Sequence, residues 1–405
     1  MEEEPEDIPP MKDVLKAGDV YSRALKPQGD SEELWSQFYN PPSVQLCRQA
    51  HCILLRYSRH LEVWKLGTFK EPITGEGHIP LSSDPIQLVR LEAKEGGLIA
   101  SAALSDDAHW LIYSTNSQVY CHRLFLEGGV PRLQKVDMSA EHSDVAQRVV
   151  FTLDGTKVIL ATTSGSIKIL NLLEDHIERV IAFNPHVDKC TVLKGPVKLL
   201  AVSGDGCYLV AGDKHANIVV WSLASLQYHL SLPKHRCSPT ALAIQSSTNN
   251  LVVVYADHKR RVVEVNLKTG KFSNFSKLLS GQMPTQWSSR CFPVNNVTFD
   301  PRNDNIIILH DDTTICVIDK DKDLPLAEAK IPRLESSGMS DGVDSSNQSY
   351  PRTSSPQNAF HFIKKYKHLV HLEWLVGEEL VAVEVSPASL AEKLPPSLKQ
   401  KKYGM

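Results

Sequence analysis

Sixteen histidines and eight cysteines in 405 residues are enough to build a metal centre or a nucleophilic dyad. Their spacing argues against both. The cysteines fall at 47, 52, 121, 190, 207, 237, 291 and 316, with no Cys-x-x-Cys pair. The nearest His/Cys groupings are His51 with Cys47 and Cys52, and His235 with Cys237. Structural zinc needs paired ligands at short spacings, so both groupings read as loop or core residues. Paired carboxylates, the other common source of acid/base chemistry, occur at Asp106-Asp107, Asp311-Asp312 and Glu378-Glu379. Each pair lies between apolar runs, where short polar side chains bond their own backbone and make turns. Gly204-Asp205-Gly206 reads as a hairpin turn in the same way. There is no G-x-S-x-G, G-x-x-x-x-G-K-[ST], G-x-G-x-x-G or H-E-x-x-H. The sequence implies no enzyme, no metal and no cofactor.

Two basic clusters suit a different chemistry. Lys364, Lys365 and Lys367 are interleaved with His361, Phe362, Tyr366 and His368. The tail carries Lys399, Lys401 and Lys402 within a stretch, 393–405, that has no acid. Cations with aromatics suit phosphate contact and base stacking, so these six lysines are the candidate RNA or partner contacts. A solvated blade edge and a frayed terminus are the competing readings. The tail, rather than the folded ring, is expected to make any direct phosphate contact.

Such residues need a scaffold, and residues 148–172 show what it is. Val149 and Phe151 alternate with polar neighbours, Asp154-Gly155 turns, and Val158, Ile159 and Leu160 form an apolar run. Ser164-Gly165 turns again before Ile167, Ile169 and Leu170. Period-two runs bounded by Asp-Gly and Ser-Gly predict a meander of short strands. The pattern returns at 53–66, 98–124, 198–223, 240–267 and 296–320, its copies ending at Leu66, Leu124, Leu172, Leu223, Leu267 and Lys320. Units of this length with three to four strands indicate propeller blades. No unit can bury its apolar face alone, so the copies must stack around one core. Residues 369–375 and 379–385 supply two strands of a seventh blade, and 19–25 is a candidate strand to complete it. The expectation is all-β: a single seven-bladed propeller over 19–387.

The array resembles the WD-repeat family, in which the third strand of each blade ends in Trp-Asp. The Trp position here reads Trp64, His122, Leu170, Trp221, Val265 and Ile318, and the position after it reads Lys65, Arg123, Asn171, Ser222, Asn266 and Asp319. No unit keeps both residues, so strand order carries the resemblance. Trp64, Leu170, Trp221, Val265 and Ile318 are expected to anchor their blades. Ile218 and Val220 are assigned to the same interior as Trp221.

The chain is 42% apolar with a formal net charge of −3. That composition builds a large core and supplies no global field for nucleic acid, so any RNA contact must be local. Scattered cysteines indicate reduced thiols of an intracellular protein. No run is apolar enough for a transmembrane helix, and no membrane partner is implied. Residues 1–18 begin with five acids and no base in the first ten and are expected to be disordered. The Ser-rich segment within about 321–358 reads as a disordered loop inserted in the ring, with Ser355-Pro356 as a phosphorylation candidate or ordinary solvated chain. Residues 388–405 form a basic tail.

The tail, from Leu394-Pro395-Pro396 through its lysines to Tyr403-Gly404, sharpens the resemblance. With residues 60–67, 110–115, 240–250, 306–312 and 379–384 it is similar to the cirhin-like family of nucleolar WD-repeat proteins of the small-subunit processome. Members of that family have two tandem propellers, and this chain resembles the second. The resemblance implies a non-catalytic scaffold in ribosome biogenesis that supports processome assembly on pre-rRNA and 18S rRNA maturation, with a link to ribosomal DNA transcription. It implies other processome WD-repeat proteins and pre-rRNA as partners, and the nucleolus as location. The residues alone leave open a generic WD-repeat adaptor, such as a ubiquitin-ligase substrate receptor or a transcriptional co-regulator.

Overall fold

A computed structural model describes residues 44–385 apart from 70–80, 325–358 and several short loop segments. The expected disordered segment 1–18, the candidate strand 19–25, nearly all of the Ser-rich loop and the tail 388–405 lie outside the described residues.

Six four-stranded antiparallel meanders and one two-stranded sheet stand radially around a centre. Blade 1 is Val44–Cys47, Cys52–Arg56, His60–Lys65 and Ile86–Glu92. Blade 2 is Ile99–Leu104, Trp110–Thr115, Val119–Phe125 and Arg132–Val136. Blade 3 is Ala146–Phe151, Lys157–Thr162, Ile167–Leu172 and Ile177–Phe183. Blade 4 is Val197–Val202, Tyr208–Asp213, Ile218–Ser222 and Gln227–Ser231. Blade 5 is Pro239–Ile244, Asn250–Tyr255, Val262–Asn266 and Lys271–Phe272. Blade 6 is Asn296–Phe299, Ile306–His310, Ile315–Asp319 and Phe360–Ile363. Blade 7 is Leu369–Trp374 and Leu380–Glu384.

The same local chemistry turns the chain between the first two strands of blades 2, 3 and 4. Ser105, Thr152 and Ser203 each donate a hydroxyl hydrogen bond to the carboxylate two residues on, at 2.5, 2.5 and 2.6 Å. The carboxylates of Asp107, Asp154 and Asp205 accept from the backbone of His109, Thr156 and Cys207. The residue after each carboxylate sits in the left-handed region, where Gly155 and Gly206 are unstrained and Ala108 is not. Asp106-Asp107 is therefore turn chemistry.

The second strands of blades 2 to 6 are buried on both faces. Val252, Val253 and Val254 are all fully buried, because even residues pack against one neighbouring blade and odd residues against the other. This corrects one expectation. Val219 and Trp221 face the interface with blade 3, whereas Ile218 and Val220 face blade 5. Period two places i and i+1 on opposite faces, and in a stacked array both faces are interior. The passage from blade 5 to blade 6 is longer than a turn. Two short helices, Asn274–Leu279 and Thr285–Ser288, interrupt the passage from blade 5 to blade 6. The Ser273 hydroxyl caps the first by accepting from Ser276 N at 3.1 Å.

The inner strands form a closed ring in which each of the seven neighbours the next, and blade 7 neighbours blade 1. Val44, Leu46 and Ile53 pack there with Trp64, Val370, Val381 and Val383. Arg48 pairs with Glu373 at 2.9 Å across 325 residues of chain, and His371 Nε2 meets the other carboxylate oxygen at 3.0 Å. Burial alone would raise the Glu373 pKa. His371, by hydrogen bond and charge, and Arg48 outweigh it and hold the carboxyl below its ordinary range.

Candidate nucleic-acid interface

In an up-and-down blade, the turn joining the second and third strands and the connection to the next blade emerge at the same end. That end of blades 3 to 5 carries a concentration of cations. Lys194 and Lys198 lead into blade 4, Lys214 tops it, Lys234 and Arg236 lead into blade 5, and Arg261 tops blade 5. Among residues 193–261 the acids are three. Asp205 is at the opposite end of its blade, Asp257 is outside the described residues, and Asp213 is committed to backbone.

Asp213 shows how the face is built. Fully buried, its carboxylate accepts from Lys194 N at 2.9 Å, His215 N at 2.8 Å, Asn217 N at 2.9 Å and Asn217 Nδ2 at 2.7 Å. One carboxylate thus folds two loops, and the residues it holds by their backbone, Lys194 and His215, turn exposed side chains outward alongside Lys214. The Ser238 hydroxyl donates to Lys214 O at 2.5 Å and ties this turn to the connection entering blade 5.

Nearer the centre, the inner strands of blades 3 and 4 each carry a bulge at their start, between Ala146 and Arg148 and between Val197 and Leu199. The extra residue of the second is Lys198. Bulges re-aim side chains that a regular ladder would bury or pair. Lys198 is half-buried, and its pKa is lowered first by that burial and then by the positive charges of Arg148 and Lys214. Three cations thus share one neighbourhood at the mouth of the ring, where an anion would relieve their mutual repulsion.

Lys364 and Lys365 are exposed on the connection from blade 6 to blade 7, at the same end of the ring but two to three blades away. Lys367, Lys399, Lys401 and Lys402 lie outside the described residues. Of the expected anchors, Leu170 and Ile318 are 0% exposed, Trp221 1% and Val265 2%. Trp64 is half-buried at the seam with blade 7, its indole donating to Glu62 Oε2 at 3.0 Å. Sequence reasoning missed Lys198, Lys214, Lys234 and Arg261. They are far apart in sequence, and only the recurrence of one strand-end in successive repeats could have grouped them.

The groups that could do chemistry are muted. Burial pushes the Cys121 thiol up to about 12, and raises Cys47 well above its ordinary value, which keeps both protonated. His122 and His310 are held down to about 4, principally by burial. Asp311 is a loop-builder like Asp213, accepting from Thr313 N at 2.9 Å and Thr314 N at 2.7 Å while it pairs with Arg290. Among the described residues, no group of three His, Cys, Asp or Glu is placed to hold a metal, and no helix is long and apolar enough to cross a membrane.

No protein-family model matches the chain. Over most of its length it is similar to proteins named U3 small nucleolar RNA-associated protein 4 homolog. The mouse relative is 30% identical over 362 residues, covering 89% of this chain and 51% of the relative. The human relative is 28% identical over the same shares. The fission yeast U3 small nucleolar RNA-associated protein 4 is 22% identical over 329 residues, covering 76% of this chain and 46% of the relative. Among solved structures, a chain of a mitotic checkpoint complex superimposes with a TM-score of 0.53 at 12% identity, covering 85% of this chain and 88% of that one. The fold is that of a WD-type β-propeller. The chain spans about half the length of the curated relatives it matches.

Proposed function

We propose that this propeller is a non-catalytic scaffold in ribosome biogenesis, which supports assembly of the small-subunit processome on pre-rRNA and 18S rRNA maturation, with a link to ribosomal DNA transcription. It works in the nucleolus beside other processome WD-repeat proteins. The observation that carries this is the 362-residue similarity to U3 small nucleolar RNA-associated protein 4 homologs, which covers 89% of this chain. The muted thiols and histidines and the cationic loop-bearing face fit a binding role rather than a catalytic one. A ubiquitin-ligase receptor or transcriptional co-regulator is not favoured by these relatives.

The test is affinity purification of the tagged chain from nucleolar extract, with crosslinked RNA sequenced. Enrichment of pre-rRNA and processome WD-repeat proteins is the expected result. Recovery of ligase subunits without pre-rRNA would overturn the reading. Two triple variants then locate the RNA contact, one with Lys399, Lys401 and Lys402 neutralised and one with Lys198, Lys214 and Lys234 neutralised. The triple whose lysines engage phosphate should show weaker binding and a salt slope reduced by about one for each phosphate no longer engaged.

A further inference from the structure

Blade 5 differs from the other blades at its rim. Its outer strand, Lys271–Phe272, breaks off after two residues, where outer strands elsewhere run for four to seven. The chain leaves for the helix Asn274–Leu279, which replaces the missing outer strand along the third strand, Val262–Asn266: Ser273 N donates to Glu264 O at 3.0 Å and Glu264 N donates to Ser276 Oγ at 3.2 Å. A cavity of about 200 Å³ opens there, lined by Leu232, Pro233, Lys234, His235, Tyr255, Arg261, Val263 and Phe272. Leu232, Pro233 and Val263 are its apolar lining, His235, Tyr255 and Phe272 its aromatic lining, and the lip carries two exposed cations, Lys234 and Arg261.

We propose that this notch seats one unstacked nucleobase of single-stranded RNA, with Lys234 and Arg261 holding the flanking phosphates. The proposal deepens the RNA-binding reading above and rests on it. Base recognition in single strands combines a planar stacking partner with cations along the backbone, and the notch has both. The rings of His235 and buried Tyr255 are in contact, with centroids 4.3 Å apart and planes tilted by 32°, so Tyr255 backs the His235 platform before a ligand arrives. Cys237 N donates to His235 Nδ1 at 3.2 Å, which orients the ring and places the proton of the neutral form on Nε2. Burial pushes the Tyr255 phenol up to about 12, so that ring is neutral at working pH. Phe272, 38% exposed at the end of its strand, offers a second flat surface. The lip is continuous with the cationic face, because Ser238 at the end of the same connection bonds the Lys214 turn. A strand lying across Lys198 and Lys214 therefore meets the notch as it leaves the ring.

The full chain is titrated with two fluorescent probes: a short oligouridylate, and a ribose-phosphate chain of equal length without bases. His235→Ala should weaken oligouridylate binding about tenfold, as loss of one stacked base does, and leave the baseless probe unchanged. Lys234→Gln, at an exposed position, should weaken both probes equally. In the wild-type chain, 4-thiouridine in the oligonucleotide should crosslink to His235 or Phe272, a readout that needs no variant to fold. Unchanged oligouridylate binding in His235→Ala, or crosslinks confined to other blades, overturns the base seat and leaves RNA binding by the cationic face standing. Failure of the wild-type chain to bind either probe overturns RNA binding itself. Should His235→Ala spare both probes but release a protein captured from nucleolar extract, the notch takes a partner's side chain and the proposal falls.

Discussion

Trp221 occupies the end of blade 4's third strand, 1% exposed, with its ring 5.6 Å from Phe183 in the blade 3 interface. Truncating it to Ala should lower stability by about 3–5 kcal/mol, as large-to-small core changes do. An unchanged melting temperature would refute its anchor role. Two buried histidines make a second expectation at this scale. His122 and His310 are neutral in the folded chain at about 4, yet their unfolded counterparts protonate below about 6.5. A depressed folded pKa means that the stability these rings contribute is complete above about 6.5. It is lost as the pH falls toward about 4. Denaturation series across that window should show the loss, and His310→Gln should make the dependence shallower. Identical slopes would remove His310 from the account. Among the cations, Lys198 was invisible as a site residue in the sequence, because a lysine opening a strand is what any solvated strand-end offers. Its meaning comes from Arg148 and Lys214, fifty residues upstream and one turn away.

At the scale of elements, what was legible followed burial. The second and third strands of blades 2 to 6 are interior on both faces and so read as apolar runs between turn residues, as in 157–172 and 208–222. Outer strands were illegible. Gln227–Ser231 and Arg132–Val136 show mostly exposed side chains; the second breaks alternation at Gln134-Lys135, and the first offers only Tyr228 and Leu230, too few to stand out. The pair of helices after blade 5 was missed for another reason. Their contribution is local, centred on Trp287, fully buried, and Arg290, whose guanidinium lies 4.6 Å from the Trp287 ring and pairs with buried Asp311. Arg290→Ala should cost about 3–5 kcal/mol, because it strips one partner from a buried ion pair and leaves the other charged. Replacing Arg290 and Asp311 together by apolar residues should cost less than the sum of the two single changes, and a double-mutant cycle in chemical denaturation checks it. The candidate RNA face was illegible for a topological reason: Lys194, Lys214, Lys234 and Arg261 are gathered by the repeat of one strand-end and by nothing local.

The molecule as a whole is a ring sealed at one seam. Blade 7 contributes two described strands, and its Leu380–Glu384 strand alternates exposed and half-buried residues with no partner on its outer side among the described residues. If residues 19–25 complete this blade, deleting residues 1–30 should broaden the unfolding transition and speed amide exchange across 379–385. An intact transition with intact protection would exclude the N-terminal segment from the ring. The seven-bladed count itself was readable, because six spaced repeats and the strand pair at 369–375 and 379–385 add up to it. Which residues hold blade 7 to blade 1 was not, since Arg48 and Glu373 are ordinary charges until the ring brings them together.

That seam also sets a clock. Arg48 is made early and Glu373 325 residues later, so a chain emerging from a ribosome carries blade 1 with an uncovered flank throughout. At about 5–20 residues per second the wait is roughly 15–65 s. Val44, Leu46 and Ile53, which end up beneath Val381 and Val383, stay open to the wrong partner for all of it. The first blade of this ring to be synthesised is thus the last to be sealed, and its apolar flank is where a nascent-chain chaperone would have most to do.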